Sequence, residues 1–310
     1  MQEVNKIYCG DALGTLSKFP DGAAQMCVTS PPYYGLRQYG VPGQLGLEET
    51  PDVYIKKMVE VFREVKRVLR DDGTLWLNLG DSYAGVGNLG DTQGKHGSIT
   101  RDCQFRCPKV DGLPVKNLIG IPWKVAFALQ GDGWILRSDI IWHKPNPMPE
   151  SVTDRPTKSH EYIFLLSKNL HYYYDNNAVK EPISSVSLER AKYAWNCDRP
   201  GAKVGEKGIH TDKMGNRFVN TEGRNMRDVW TIPVHGFNGA HFAIFPEKLI
   251  IPCIKAGSKI DDIILDPFMG AGTTALVAKK LDRKYIGIEL NPEYVKIAEE
   301  RIKQECGELL

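Results

Sequence analysis

The sequence predicts an α/β protein in which a mostly parallel, doubly wound sheet is covered by helices on both faces. Short apolar segments typical of buried strands alternate along the chain with amphipathic segments of helical period. Two of the predicted strands end in turns rich in proline or glycine, at 29–33 (TSPPY) and at 266–274 (DPFMGAGTT). Parallel sheets of this kind bind their ligands at the carboxyl ends of the strands, so both turns are candidate sites.

The first part of the chain is predicted to hold five strands, at 7–9, 25–29, 74–79, 135–142 and 162–167. Thr50 and Pro51 form a typical helix start, a capping hydroxyl followed by proline in the first turn. Apolar residues from Ile55 to Leu69 then recur with a 3.6-residue period, and Gly73 is predicted to end the helix. A second helix is expected over 117–130.

The order of the elements after 229 indicates a circularly permuted sheet. A helix starting at 245–246 and a strand at 262–265 precede the glycine turn, which opens a helix at 273–281. Only one strand, 284–288, and one helix, which Asn291 caps and Pro292 opens, follow. The remaining strands must therefore come from upstream, and we expect 7–9 to lie beside 284–288.

Composition restricts the class of protein. No apolar run approaches the length of a membrane span, and the first residues lack the layout of a signal peptide. Seven scattered cysteines favour a reducing compartment, so we expect a cytoplasmic protein. Cys103, Cys107 and His96 do not complete a metal site, and Cys253 is expected to be a buried thiol. A net charge of only +2 does not by itself indicate nucleic-acid binding, so any basic surface that binds nucleic acid must be local.

The turn at 266–274 has the features of a nucleoside-cofactor site. Gly270 and Gly272 allow the backbone to approach a ligand, and Glu289, at the end of the next strand, is placed to accept both hydroxyls of a ribose. A third glycine of the dinucleotide pattern is absent, since Ala275 follows Thr274. Asp266 would oppose a pyrophosphate but would attract the amino group of a methionine moiety. These features favour S-adenosylmethionine over NAD.

The TSPPY turn is suited to holding a flat ring that carries an amine. Two consecutive prolines cannot donate hydrogen bonds within a sheet, so the strand must stop at Ser30. The stiff turn that follows presents outward carbonyls between a hydroxyl and the aromatic ring of Tyr33. Two acceptors suit an NH2 group, and the ring offers a face for stacking.

With these segments in place, the chain resembles the β-class DNA amino-methyltransferases of bacteria and phages. The matching segments are 29–33, 142–146 (WHKPN), Arg155 with His160 and Glu161, and 266–272; the resemblance spans nearly the whole chain apart from 82–112 and 181–228. It implies a circularly permuted Rossmann-like methyltransferase fold with an inserted target-recognition region. In such enzymes a serine at the position of Ser30 usually accompanies cytosine N4, whereas Asp or Asn accompanies adenine N6. Methylation of adenine stays open as the alternative.

The expected domains are a target-base half at 1–180, a target-recognition insert at 181–228 and a cofactor half at 229–310. Ser30 and the Pro31 carbonyl are expected to accept the two N–H bonds of the amine, and the base must first be flipped out of the duplex onto Tyr33. The candidate catalytic residues are Ser30, Pro31, Pro32, Tyr33, Asn78 and Asp81. The candidate cofactor residues are Asp11, Thr29, Asp266, Phe268, Gly270, Gly272, Thr273, Thr274, Glu289 and Asn291. The candidate DNA contacts are Arg155, Arg190, Lys192, Arg199, Lys203, Arg217, Arg224 and Arg227.

Some of these residues are also consistent with other roles and other functions. Arg155 and the pair His160-Glu161 fit two roles equally well, an internal ion pair that supports the turn and a direct contact with DNA. A NAD-dependent oxidoreductase would use Glu289 but leaves 30–33 unexplained, and a non-catalytic DNA-binding module leaves both pockets unexplained. RNA is an alternative substrate to double-stranded DNA. The expected partner is a restriction endonuclease, and both a monomer and a homodimer are consistent with the sequence.

Overall fold

The computed structural model describes residues 3–36, 40–85, 109–183, 223–234 and 245–307. Within these ranges the chain forms one sheet of eight strands. The strands are β1 (Lys6–Cys9), β2 (Ala24–Thr29), β3 (Leu69–Leu79), β4 (Ile135–His143), β5 (His160–Ser167), β6 (Val229–Thr231), β7 (Ile263–Asp266) and β8 (Lys284–Glu289). A 3-10 turn lies at Asn177–Val179.

The strands are arranged in the order β1-β8-β7-β2-β3-β5-β4-β6. Each neighbouring pair is parallel except the two pairs that contain β5. The expected mostly parallel sheet is therefore confirmed. β1 pairs with β8, with Tyr8 opposite Ile288, which confirms the circularly permuted order. The direction of winding reverses between β7 and β2, the position at which doubly wound sheets bind ligands.

In the described part of the chain, six helices cover the sheet: α1 (Ala12–Leu16), α2 (Pro51–Val68), α3 (Ile121–Gly131), α4 (Glu247–Gly257), α5 (Thr273–Lys280) and α6 (Pro292–Cys306). Successive side chains of a strand point to opposite faces, so β3 shows which helices share a face. Leu75 and Leu77 belong to the buried cluster that includes Phe62 and Val125 of α2 and α3. On the opposite face, a Cβ added to Gly257 of α4 would lie 3.1 Å from the Trp76 indole nitrogen.

The chain divides into two compact units. One contains residues 1–175 and 228–310 and includes the whole sheet, and the other contains 176–227. In the smaller unit, the backbones of Glu181 and Arg224 exchange two hydrogen bonds of 2.9 Å. Most of the smaller unit, 184–222, lies outside the described residues.

Two helix boundaries differ from the sequence-based expectation. Helix α2 does not end at Gly73; it ends at Val68, and the chain passes directly into β3. Gly73 lies within β3, where an added Cβ would be 2.8 Å from the Gln25 carbonyl oxygen, so glycine is needed there for close approach of two strands. Helix α3 begins at Ile121 rather than at 117, because Gly120 has a φ of 80° and acts as the N-cap.

Three short elements were not predicted: α1, β6 and the 3-10 turn. Helix α1 has only five residues, too few to show a helical period. Its one sequence signal is Asp11, whose carboxylate caps it by accepting a 2.7 Å hydrogen bond from Gly14 N. The three residues of β6 are held by pairing with the end of β4, a long-range contact that carries no local signal.

Within the described ranges, no helix is both long enough and apolar enough to cross a membrane. The same ranges contain no group of three or more His, Cys, Asp or Glu side chains placed to hold a metal ion. Cys103, Cys107 and His96 lie outside the described residues, as does most of the segment 82–112. Cys253 is fully buried in α4, as predicted, and burial raises the pKa of its thiol.

Candidate active site

The candidate residues follow the ends of adjacent strands and so meet along one edge of the sheet. Ser30 follows β2, and Asp266 and Glu289 end β7 and β8. Asn78 lies near the end of β3, and β5, which runs in the opposite direction, begins at this edge. Both turns singled out in the sequence therefore flank the switch point between β7 and β2.

A buried carboxylate joins the two turns. Asp266 is 1% exposed, and its Oδ1 accepts a 2.6 Å hydrogen bond from the Thr29 hydroxyl and a 3.0 Å bond from Phe268 N. Its Oδ2 accepts a 2.6 Å bond from the Thr274 hydroxyl at the start of α5. We call Asp266, Thr29, Thr274 and the Phe268 amide the Asp266 cluster. This cluster connects the strand before the TSPPY turn to the helix after the glycine turn.

Burial raises the pKa of Asp266 to about 6, although the two threonine hydroxyls and the Phe268 amide act to lower it. The nearby carboxylate of Glu289 raises the pKa further. Because the folded-state pKa lies above its ordinary value, this group stabilises the fold most at low pH. That contribution is lost as pH rises from about 4 to about 6. A cation bound beside Asp266 would favour the ionised form.

The glycine turn combines one open and one closed position. Gly270 has a φ of 52°, and a Cβ added to it would meet no atom within 4 Å. Gly272 has a φ of 80°, and its added Cβ would lie 2.8 Å from the Cβ of Ala298 in α6. Gly272 therefore allows two elements of the protein to pack closely, whereas Gly270 leaves space for a ligand over the backbone. The hydroxyl of Thr273 accepts a 2.9 Å bond from Arg301.

Glu289 orders the same turn from the neighbouring strand. Its Oε2 accepts a 2.8 Å bond from Gly270 N, and its Oε1 accepts one of 2.8 Å from Asn291 N. Burial raises the pKa of Glu289, and these backbone amides oppose the shift. Each carboxylate oxygen retains a lone pair for a further donor. Asn291 caps α6, and Asp11 follows β1, the strand beside β8.

The TSPPY turn is held by two hydrogen bonds and by packing of its aromatic ring on a glycine. The Ser30 hydroxyl donates to the Tyr33 hydroxyl oxygen at 3.2 Å. The Pro32 carbonyl accepts a 2.9 Å bond from the hydroxyl of Tyr54 on α2. The Tyr33 ring lies on Gly80, where an added Cβ would be 2.6 Å from the ring. These contacts fix the turn and the plane of the aromatic ring.

Tyr33 also reaches a polar group on β5. Its hydroxyl lies 2.8 Å from Glu161 Oε2 and 3.0 Å from Asn78 Oδ1. Glu161 forms an ion pair with Lys144 and accepts a 3.3 Å bond from the Asn78 amide. Both charged side chains are mostly buried, at 15% and 18% exposed. Glu161 is therefore a carboxylate which, unlike Asp266, has a cationic partner.

Asp81 has a different environment from Asn78. Its Oδ1 accepts hydrogen bonds from the amides of Ser82, Gly120 and Ile121, at 2.9, 3.0 and 2.9 Å. The carboxylate thus satisfies the free amides at the start of α3, a position where negative charge is stabilising. Its carbonyl accepts a bond from Lys158, whose pKa is lowered by burial.

The candidate DNA contacts fall into two groups. Arg155 is paired with Glu150 at 2.6 Å and lies over the Tyr83 ring at 4.3 Å. Within the smaller unit, Arg224 and Arg227 both pair with Glu181 at 2.9 Å, and their side chains remain 43% and 66% exposed. The other candidates lie outside the described residues; they are Arg190, Lys192, Arg199, Lys203 and Arg217.

One contributor to the site was missed in the sequence. Tyr54 lies on the apolar face of α2 and is fully buried, so the helical period of the sequence predicts only a core residue there. The available signal was its hydroxyl, because a buried tyrosine needs a hydrogen-bond partner. That partner is the Pro32 carbonyl of the TSPPY turn.

A family model described as DNA methylase matches residues 24–300. The chain is 46% identical over 299 residues to the type II methyltransferase M.Cfr9I of Citrobacter freundii, covering 96% of this chain and 88% of that protein. It is also 46% identical over 298 residues to the type II methyltransferase M.SmaI of Serratia marcescens, covering 96% and 90%.

Solved structures with similar folds are more distant in sequence. The PvuII DNA methyltransferase (cytosine-N4-specific) matches with a TM-score of 0.62 and 20% identity, covering 98% of this chain and 92% of that one. The complex of M1.HpyAVI with S-adenosylmethionine matches with a TM-score of 0.52 and 17% identity, covering 96% and 98%. The expected α/β methyltransferase fold is confirmed.

The two glycines of the turn are expected to differ in their contribution to stability. Gly272→Ala should lower the free energy of unfolding by about 2–5 kcal/mol, because it combines a positive φ with overpacking against Ala298. Gly270→Ala should lower it by about 1–2 kcal/mol, since only the positive φ is unfavourable there. Urea denaturation measures both. Equal losses in the two variants would contradict the contact geometry of the turn.

Proposed function

Since the chain belongs to the N6/N4 DNA methylase family, we propose that it is a site-specific, cytosine-N4-specific DNA methyltransferase. It transfers a methyl group from S-adenosylmethionine to the exocyclic amine of a cytosine that has been flipped out of double-stranded DNA. The observation that carries the proposal is the 2.6 Å bond between Thr29 and Asp266, which joins a TSPPY turn ending in Ser30 to the glycine turn.

The residues around the glycine turn suit S-adenosylmethionine. Gly270 provides open space over the backbone, and Glu289 retains lone pairs for the two ribose hydroxyls. Burial and the nearby Glu289 raise the pKa of Asp266, and only neutral donors lower it, so a cationic amino group suits this carboxylate. Phe268, partly exposed after β7, provides an apolar contact. When bound, this cofactor supplies an electrophilic methyl group on a sulfonium.

The target amine is activated by position. Its lone pair is conjugated with the ring and is therefore a weak nucleophile. Ser30 and the Pro31 carbonyl accept its two N–H bonds, which draws the nitrogen toward tetrahedral geometry and aims the lone pair at the methyl group. No covalent intermediate is required, because the amine nitrogen itself attacks the methyl group. The amine proton becomes acidic once the methyl group is attached, so a strong general base is unnecessary.

The flipped base stacks on Tyr33. The ring is fixed in plane by Gly80 beneath it and by its hydroxyl bonds to Asn78 and Glu161. A ring that is already immobile loses little entropy when a base stacks on it, which supports its use as a platform. Asn78 orients the Tyr33 hydroxyl, whereas Asp81 supports the active-site edge by capping α3.

Target recognition is assigned to residues 181–228. This segment largely coincides with the separate compact unit at 176–227, and it contains most of the candidate DNA-contacting arginines and lysines. Exposed arginines such as Arg227 suit phosphates and guanine edges. The similarity to type II methyltransferases supports a cytoplasmic restriction–modification setting with a restriction endonuclease as partner.

The base specificity is tested by expressing the protein in a methylation-free host and analysing the nucleosides of its DNA by mass spectrometry. We expect N4-methylcytosine. Ser30→Ala should lower its amount by at least about tenfold, since one of the two amine acceptors is lost. Ser151→Ala, a change at an exposed residue, should match the wild type.

Each other outcome rejects a different part of the proposal. N6-methyladenine in place of N4-methylcytosine would reject cytosine as the target while keeping amine methylation. DNA without a modified base, from a protein that binds S-adenosylmethionine, would reject double-stranded DNA as the substrate and favour RNA.

Cofactor binding should depend on the charge of Asp266. Because the pKa of Asp266 is about 6 in the free protein, the dissociation constant for S-adenosylmethionine should vary little from about pH 6 to about pH 7, where the amino group of the cofactor keeps its proton. Below about pH 6, the dissociation constant should rise by about tenfold per pH unit as the carboxylate is protonated. Asp266→Asn should bind more weakly and with little change over this range, while Asp71→Asn should behave as wild type. Calorimetric titration from about pH 5 to about pH 7 measures this, and an unchanged pH dependence in Asp266→Asn would refute the role.

A further inference from the structure

We propose that Tyr33, Glu161 and Lys144 form a relay of hydrogen bonds that forces the Ser30 hydroxyl to act as an acceptor toward the target amine. This inference deepens the proposed function and rests on it. Tyr33 thereby has a role for its hydroxyl that is separate from stacking of its ring, and Glu161 and Lys144 become positioning residues.

Two acceptors surround the Tyr33 hydroxyl. Its oxygen lies 2.8 Å from Glu161 Oε2 and 3.0 Å from Asn78 Oδ1. A phenol has one proton, so it donates to one of these oxygens at a time. Whichever accepts it, no proton of Tyr33 is left for Ser30. The 3.2 Å bond between the two hydroxyls must therefore be donated by Ser30.

Because the Ser30 hydroxyl donates its proton to Tyr33, it can only accept a hydrogen bond from a third group. A free serine hydroxyl can rotate and can either donate or accept. An amine that attacks through its lone pair must donate both of its N–H bonds, so a hydroxyl that donates to that nitrogen would block the reaction. With its proton held by Tyr33, Ser30 presents only lone pairs to the target.

The ion pair keeps Glu161 an acceptor. Lys144 bonds to Oε1, the oxygen that does not face Tyr33, and the pair is mostly buried. In this ion pair Lys144 donates to Oε1, so both carboxylate oxygens accept, Oε1 from Lys144 and Oε2 from Tyr33. Lys144 is itself held over the Trp142 ring, at 4.3 Å from its centre. The relay therefore runs from Ser30 through Tyr33 to Glu161 and ends at a fixed positive charge.

The variants that test the relay separate the hydroxyl of Tyr33 from its ring. Tyr33→Phe keeps the stacking surface and removes only the hydroxyl, and Glu161→Gln keeps the shape of the acceptor and removes its charge. Tyr172→Phe is the matched control. It removes a hydroxyl that accepts a 3.0 Å bond from Arg137, in the segment after β5 and away from the active-site edge.

The rate of methyl transfer is measured in a single turnover, with labelled S-adenosylmethionine and DNA from a methylation-free host. Tyr33→Phe and Glu161→Gln should each be slower by about tenfold to about a hundredfold, the effect of a hydrogen bond to a charged group. Their dissociation constants for S-adenosylmethionine should stay within about twofold of the wild type. Tyr172→Phe should react at the wild-type rate.

A double-mutant cycle then separates the relay from a general structural effect. If Tyr33 acts through Ser30, the variant Ser30→Ala/Tyr33→Phe should be no slower than Ser30→Ala alone. A wild-type rate in Tyr33→Phe, losses that multiply in the double variant, or an equal loss of cofactor affinity would each overturn the relay. Should Tyr33→Phe fail to fold, Glu161→Gln and its combination with Ser30→Ala give the same test.

The same reactions keep the two proposals apart, because the modified base is identified in the wild-type product. Adenine as the methylated base would reject the cytosine assignment, while the rate of Tyr33→Phe would still decide the relay. No transfer by the wild-type protein would reject both.

Discussion

The buried carboxylate of Asp266 has to be satisfied by neutral donors, and the rest of the site is arranged around that requirement. A carboxylate that is 1% exposed is unfavourable unless its oxygens are hydrogen-bonded. The donors are Thr29 at the end of β2, the Phe268 amide in the glycine turn and Thr274 in the first turn of α5. Satisfying one buried charge therefore fixes the strand that presents Ser30 relative to the turn that receives the cofactor.

Two carboxylates of the site, Asp266 and Glu161, have environments that differ in one respect. Asp266 has no cation among the groups that shift its pKa, so burial raises that pKa to about 6. Glu161 is also mostly buried, but it is paired with Lys144. The first carboxylate is suited to a cationic ligand that arrives, and the second to orienting protons already present. Binding and orientation are thus divided between the two halves of the sheet.

Much of this could be predicted from the sequence, because strand ends carry strong local signals. The proline pair after β2 and the glycines after β7 marked both turns, and the element order predicted the permuted sheet that the strand pairing confirms. Gly73 misled the prediction because glycine ends helices and also permits close contact between strands, and only the fold distinguishes the two uses. The partners of Tyr33 could not be inferred. Tyr33 and Glu161 are 128 residues apart, and no periodicity relates them.

If the Asp266 cluster couples the TSPPY turn to the cofactor site, a change at Thr29 must weaken cofactor binding. The affinity of Thr29→Val for S-adenosylmethionine measures this, since valine keeps the shape of threonine and removes the hydroxyl that bonds to Asp266. We expect a loss of about tenfold, as large as that of Thr274→Val, although Thr29 belongs to the turn that holds the target base. Wild-type affinity in Thr29→Val, together with a loss in Thr274→Val, would contradict it.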